Sequence, residues 1–359
     1  MSEPVPIQRH GRGAAENPPN RFERRHTVED PEALEEDELR RVPTEFLRDA
    51  SRNVLSENDS PDVGFRWSVN PYRGCEHGCV YCYARPTHEY LGFSAGLDFE
   101  TKIVVKHDAP ALLARVLQKP SWTPETIVMS GNTDCYQPAE RRLRLTRGCL
   151  QVLARHRHPA GIITKTHLVT RDLDVLREMA TLDLVGVHVS ITSLRDAITA
   201  AMEPRTSRPA RRLEAVARLA DAGVPVGVMV APVIPGLTDE ELPDILEAAA
   251  AAGARSASYQ LVRLPGAVQD LFRAWLYRAF PGRADAVWNR ILDIRSGNPG
   301  ESRFGVRMRG TGPWAGVLDG LFHTARRRHG LERTLPPRAT HHFRRLAGGQ
   351  MGLFEELSD

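Results

Sequence analysis

The sequence predicts an α/β fold in which parallel strands form an open, partial barrel. Three observations carry that expectation. Six short apolar runs rich in β-branched residues recur from residue 65 onward. Longer amphipathic stretches at helical period separate them, the alternation that builds βα units. The segment RRLEAVARLADAG, residues 211–223, ends in Gly223 where a helix needs a left-handed cap. Six strands are too few for a closed eight-stranded barrel, and a sheet of this kind places its site at the carboxyl ends of its strands.

Taken in order, residues 1–60 are polar, rich in Pro, Arg and Glu, and without sustained periodicity. They are expected to form a largely disordered N-terminal arm or to lie draped over the surface. The barrel is expected over residues 61–264, with strands at 65–69, 126–129, 161–164, 184–191, 225–230 and 256–261. Helical patterns fall between them at 109–117, 139–155, 173–181, 209–222 and 239–252. Residues 265–346 turn helical and basic, as in AVQDLFRAWLYRAF and RADAVWNRILDIR, and are expected to pack on the sheet as an extension. Residues 347–359 form a tail of another kind, a short apolar patch between polar flanks.

With 41% hydrophobic residues, the 359-residue chain can bury a large core. It shows no apolar run long enough to span a membrane and no start resembling a secretory signal. Five cysteines in such a length are not a secreted disulfide framework, so a reducing, cytoplasmic setting is expected. The formal charge of +3 is unevenly spread: residues 28–40 are strongly acidic, while residues 255–345 hold 17 arginines and no lysine against 6 acidic residues. Such an excess suits a phosphate backbone, and equally a solvated surface in a chain that favours arginine.

Three of the five cysteines crowd into NPYRGCEHGCVYCYAR, residues 70–85. Cys75, Cys79 and Cys82 follow the first barrel strand on a loop containing Gly74 and Gly78. Thiolates at this spacing converge on one soft centre, either an iron–sulfur cluster or zinc, unless the grouping is incidental. Zinc would want a fourth ligand, which His77 or His88 could supply without matching a common finger. A four-iron cluster held by three cysteines leaves one iron open to a small molecule. Tyr81, just before the third cysteine, favours the cluster.

The pattern C-x3-C-x-Φ-C after the first strand resembles the signature of radical S-adenosylmethionine (SAM) enzymes. The segment from Asn58 to Lys106 resembles a bacterial subgroup that is spore photoproduct lyase-like, also called DNA repair photolyase-like. The likeness continues through TDCYQPAE, ITKTHLVTRDLDVL, VHVSIT, MEPRTSRPARRLEAV, APVIPGLTD and RLPGAVQDLF, over roughly residues 58–275. It implies a partial (β/α)6 barrel with a [4Fe-4S] cluster on Cys75, Cys79 and Cys82, its open iron chelated by SAM. It further implies an external electron donor, a 5′-deoxyadenosyl radical, and damaged DNA as substrate. Radical chemistry on RNA, protein or a small metabolite, and a non-catalytic scaffold binding DNA or a clamp, are the rival readings.

The same resemblance assigns further residues. Ser130, Gly131, Asn132, Thr133 and Asp134 correspond to the segment that holds the SAM amino group, although the usual acidic motif is missing there. Read without it, Asp134 is a helix cap. Lys165 is expected at the SAM carboxylate with Ser190 contributing a hydroxyl, and Glu203 and Arg205 at the ribose or carboxylate. Residues 233–239, VIPGLTD, resemble the motif that packs on adenine. Cys135 could return a hydrogen atom to a product radical, or be a buried hydrophobe as most free cysteines are. Cys149 reads as core, and Tyr83, Arg85 and His88 as cover for the cluster or hydrogen-bond partners of its sulfurs. In the tail, Gln350, Met351, Leu353 and Phe354 resemble a bacterial sliding-clamp binding peptide.

Overall fold

The β-branched runs that alternate with amphipathic stretches become a seven-stranded sheet with helices on one face. The computed structural model describes residues 11–23 and 42–346. Its strands are β1 (Glu45–Arg48), β2 (Leu55–Glu57), β3 (Trp67–Val69), β4 (Tyr72–Arg73), β5 (Lys102–Val105), β6 (Ile127–Met129), β7 (Ala160–Thr164), β8 (Val185–Ser190), β9 (Val226–Val233) and β10 (Ser256–Leu261). In the larger sheet the order is β10-β9-β8-β7-β6-β3-β2. The six strands from β3 to β10 are parallel and adjacent in chain order, and β2 adds an antiparallel edge on β3. All six are the expected ones. β2 and β10 stand at opposite edges unpaired with each other, so the barrel is open.

Side chains alternate across a strand. Val69, Met129, Ile162, Val187, Val189 and Val228 enter the main core under the helices. The alternate positions, among them Ser68, Gly161, Gly186, His188, Ser190 and Gly227, therefore share the opposite, concave face. Helix Pro209–Asp221 shows how the layer is built. Arg212, Ala215, Val216 and Leu219 form its buried stripe. Proline opens it at the first turn, and beyond its end Gly223 takes φ 77°. The N–H of Val224 then closes on the carbonyl of Leu219 at 3.0 Å, as the terminal glycine anticipates. Each fully buried Val or Leu of such a stripe contributes about 1.5–3 kcal/mol.

The expected helix over 139–155 is broken into Glu140–Leu143 and Leu145–Arg155, with Arg144 at φ 52° between them. The break frees the first amides of the second helix. Those of Thr146 and Arg147 donate to the Glu140 carboxylate at 2.9 and 3.3 Å, where Tyr72 and Arg171 also bind it. The expected helix over 239–252 starts as a 3-10 turn, Asp239–Glu241, before Leu242–Ala251.

The N-terminal region holds more order than its composition suggests. β1 pairs with β5 and β5 with β4 in a separate three-stranded sheet. Among residues 11–23, the Gly13 and Ala14 amides donate to the two oxygens of Glu100 at 2.9 and 2.8 Å, and Arg12 reaches the carbonyls of Glu100 and Val42. A Cβ on Gly13 would lie 1.8 Å from the carbonyl oxygen of Gly78, so only glycine lets this strap cross the cysteine loop.

The basic extension is helical, at Val268–Ala279, Ala284–Ile294 and Gly312–Arg328. Its first two helices share a core with Val80, Tyr81, Met202, Ile234 and Leu237, so they cover the cysteine loop as well as the sheet. The third packs along Leu242–Ala251. The chain then bridges the free edge of β10 at Glu332 and runs beneath the strands, where Ala339 and Arg344 bond the carbonyls of Asp183 and His156. The clamp-like residues Gln350, Met351, Leu353 and Phe354 lie outside the described residues. No helix of the described residues is long and apolar enough to cross a membrane.

Candidate functional site

Cys75, Cys79 and Cys82 sit on a loop between β4 and the 3-10 helix Arg85–Leu91, at the carboxyl end of β3. Gly74 and Gly78 turn the loop with φ of 81° and 67°. The loop is pinned from several sides. The Cys75 amide bonds the carbonyl of Phe99 at 2.8 Å. Gln137, fully buried, accepts from the Glu76 amide at 2.9 Å and donates to the Gly74 carbonyl at 3.0 Å. Arg85 donates to the carbonyls of Cys79, Ala95 and Gly96 and pairs with Glu100 at 2.5 Å, with no surface exposed. Sequence reasoning missed both Gln137 and the Gly13 strap, because a side chain that clamps backbone leaves no motif.

The three thiols are free, and Cys75 and Cys79 are buried. Burial pushes all three up from their ordinary values. The carboxylates of Asp134 and Glu203 add to this at Cys75 and Cys79, while Arg85 opposes it at Cys82. A bound cation reverses the preference and holds them as thiolates. Among the described residues no three His, Cys, Asp or Glu close on a single ion. Three cysteines on one loop fit a four-iron cluster that keeps one iron open. His77 Nδ1 lies 3.5 Å from Asp134, and burial lowers the imidazole to about 4.

Lys165 directly follows β7, at the carboxyl ends of the strands, the end at which the cysteine loop follows β3. Its amide donates to Asp134 at 2.8 Å, and its ammonium has no carboxylate partner among the described residues. Of the 130–134 segment, Gly131 and Asn132 border the mouth. The Gly131 carbonyl accepts from the half-exposed Tyr83 hydroxyl at 3.0 Å, and exposed Asn132 approaches Thr87 at 3.3 Å. The other three are engaged internally. Ser130, at φ 88°, accepts from the Cys135 amide, Thr133 donates to the Tyr72 carbonyl, and Asp134 staples Thr164, Lys165 and Tyr136. Asp134 is thus a staple between strand ends rather than a helix cap.

Several expected ligands are turned to other work. Glu203 is buried against Tyr81, Thr192, Thr206 and Arg212, which leaves no edge for a ribose. Arg205 pairs with Glu76 at 3.1 Å. The Ser190 hydroxyl donates to the Ala231 carbonyl at 3.0 Å. Ile234 and Leu237 are buried in one core with Cys79, Val80 and Tyr81 of the cysteine loop. Cys135 is wholly buried in the main core, and burial with Asp134 nearby raises its thiol. Cys149 is core as expected. Arg85 bonds carbonyls instead of sulfurs. His88 lies behind Gly74 between Phe93 and Phe99, lowered to about 4 by burial, with neither ring nitrogen partnered.

The basic region also divides. Arg295 donates to the carbonyls of Leu261 and Val262, Arg344 and Arg345 to those of residues 119–122 and 155, and Arg303 and Arg307 pair with Glu301 and Asp62. A large share of the arginine excess is therefore internal bracing.

Residues 69–249 match the Radical SAM superfamily, and the chain belongs to that superfamily. Its cofactors are a [4Fe-4S] cluster and SAM. Uncharacterized proteins of Mycobacterium bovis and Mycobacterium tuberculosis are 43% identical over 219 residues, which is 60% of this chain and 64% of theirs. The chain thus spans less than two thirds of their length. An uncharacterized protein of Methanocaldococcus jannaschii is 29% identical over 55% of this chain and 71% of its own. Among solved structures, spore photoproduct lyase complexed with dinucleoside spore photoproduct shares the fold, with a TM-score of 0.58 over 79% of each chain at 17% identity.

Proposed function

We propose, on the premise of that membership, that Cys75, Cys79 and Cys82 hold the cluster and that the enzyme acts on a lesion in DNA. One observation carries the reading: the three thiols lie on one pinned loop at the carboxyl end of β3, with Lys165 directly after β7 and tied to Asp134. When bound, the cluster supplies one electron to SAM, which parts into methionine and a 5′-deoxyadenosyl radical. The chain's own residues orient and shield. Lys165 pairs with the methionyl carboxylate. The turn at Gly131 and Asn132, tied to Tyr83, closes one side of that space. The core of Tyr81, Ile234, Leu237 and Phe272 keeps water from the other.

A damaged base reaches the carboxyl ends of the strands only when swung out of its helix, since a stacked base cannot enter the site. The shared fold with a lyase solved on a dinucleoside photoproduct supports a damaged pyrimidine pair over other substrates. The test is anaerobic. Reconstituted protein is given SAM and dithionite in place of the external electron donor, and 5′-deoxyadenosine is followed by mass spectrometry against a Cys79→Ala control. The reading expects product from native protein alone, with a higher yield on ultraviolet-treated DNA than on intact DNA. Equal yields on the two DNAs refute the lesion; a fully loaded protein without product refutes the radical chemistry.

A further inference from the structure

A second cavity of about 390 Å³ opens where the concave face meets the free edge of β10, beneath the row of Ser190 and Ser258. Arg309, Arg326, Arg333 and Arg338 line it together with His188 and Ser256. Among the described residues no carboxylate lines it. The nearest are turned elsewhere: Asp319 accepts from Tyr259 and lies 3.5 Å from His323, and Glu332 lies 3.7 Å from Arg327. Arg326 braces the carbonyls of Leu331 and Glu332 through Nε and Nη2. Arg338 has a buried Nε without a partner.

Two glycines make the space. A Cβ on Gly186 would lie 2.6 Å from Nη2 of Arg338, and one on Gly227 would lie 2.3 Å from Ser256 Oγ and 3.0 Å from the His188 ring. Burial lowers His188 to about 4, with Arg338 adding to the effect, so the imidazole is neutral at pH 7 and offers a donor or acceptor instead of charge. Gathered guanidinium groups repel one another, and a partly buried one lacking a counter-charge is destabilising. A multivalent oxyanion relieves both, because its oxygens match the guanidinium fork. The volume suits a nucleotide.

We propose that this cavity binds a phosphate group of a nucleotide, delivered either as a free nucleotide or as the backbone of a nucleic-acid strand laid along the β10 edge. The inference does not depend on radical chemistry, since its test reads binding alone. Full-length reconstituted protein is titrated with ADP and inorganic pyrophosphate by calorimetry, and with a fluorescein-labelled oligothymidylate by anisotropy at low and physiological salt. Arg309→Gln with Arg333→Gln, both exposed in the fold, is compared with Arg283→Gln outside the cavity. The double variant is expected to weaken binding about tenfold or more, and the control by less than about twofold.

A loss confined to the oligonucleotide, with a shallower salt dependence, identifies the strand as the source. A loss confined to ADP and pyrophosphate identifies a free nucleotide. A Gly186→Ala variant, which displaces Arg338 without removing charge, is expected to weaken the same ligand. The proposal is overturned if no probe binds native protein, or if the double variant binds every probe as native protein does.

Discussion

Glu203 offers the sharpest test of whether the acidic residue after β8 binds a ligand or holds the cysteine loop. Its carboxylate is wholly buried and pairs with Arg212, and it takes hydrogen bonds from Tyr81, Thr192 and Thr206. Glu203→Gln keeps the shape and removes the charge, which leaves Arg212 buried beside a neutral amide. Stranding one partner of such a pair costs about 3–5 kcal/mol. Removing both, as in Glu203→Gln with Arg212→Met, is expected to recover a substantial part of that loss, because no uncompensated charge remains. Urea denaturation of the cluster-free protein measures the three variants. Because Tyr81 directly precedes Cys82, the single variant should also hold less iron per chain. If instead Glu203→Gln is as stable as native protein to about 0.5 kcal/mol and only its SAM affinity falls, the carboxylate is a ligand and the structural reading is wrong.

Lys165→Met should leave iron content unchanged while weakening SAM binding about tenfold or more, as loss of one charge-assisted bond does; unchanged SAM affinity rules out the carboxylate contact. Gly13→Val drives a side chain into the Gly78 carbonyl, so the strap must lift and cluster loss in air should quicken; an unaltered decay of the iron–sulfur absorbance argues against a sealing role. Cys135→Ala should keep full 5′-deoxyadenosine formation and product partitioning, since the thiol lies in the core; altered hydrogen-atom return would place it at the substrate. Burial lowers His158 from 6.5 to about 4, with its Nε2 accepting from Trp122 at 3.1 Å. Between those values the unfolded chain binds a proton that the folded chain does not. Stability is therefore whole above pH 6.5 and falls toward pH 4, by at most ~3 kcal/mol from this residue. A His158→Gln variant should flatten that part of the pH–stability curve.

The barrel strands were legible because each is an apolar, β-branched run buried on the helix side, and that pattern survives in sequence. β1, β2 and β4 were not, since strands of two to four residues with half-exposed patterns carry too little periodicity. β5 reads KIVV and was legible in principle, but its partners lie far along the chain. The cysteine loop announced itself through spacing. Glu203, Arg205 and Ser190 were singled out through the resemblance as SAM contacts, and sequence could not tell a polar group that faces a ligand from one that faces another side chain. Arg212, which pairs with Glu203, lies on a helix that reads as ordinary amphipathic pattern.

The same ambiguity governs the charge of the basic extension. Counted along the sequence, 17 arginines over residues 255–345 argue for a phosphate backbone. Placed in the fold, Arg295, Arg344 and Arg345 cap carbonyls that the turns leave open, which a guanidinium does well because its planar fork serves several acceptors at once. That use needs arginine and no acidic partner, so it raises net charge without making a surface. Four others, Arg309, Arg326, Arg333 and Arg338, line one cavity, where Gly186 leaves room for the Arg338 guanidinium. Opposite the cavity, the cysteine loop is held by the close approach of Gly13 to Gly78, by Gln137 at Gly74, by Arg85 at Cys79 and by Glu203 at Tyr81. A loop held this way does not need metal to take its shape. Folding of the cluster-free chain and loading of the cluster should therefore be separable events, unlike in a small metal domain where binding free energy is folding free energy.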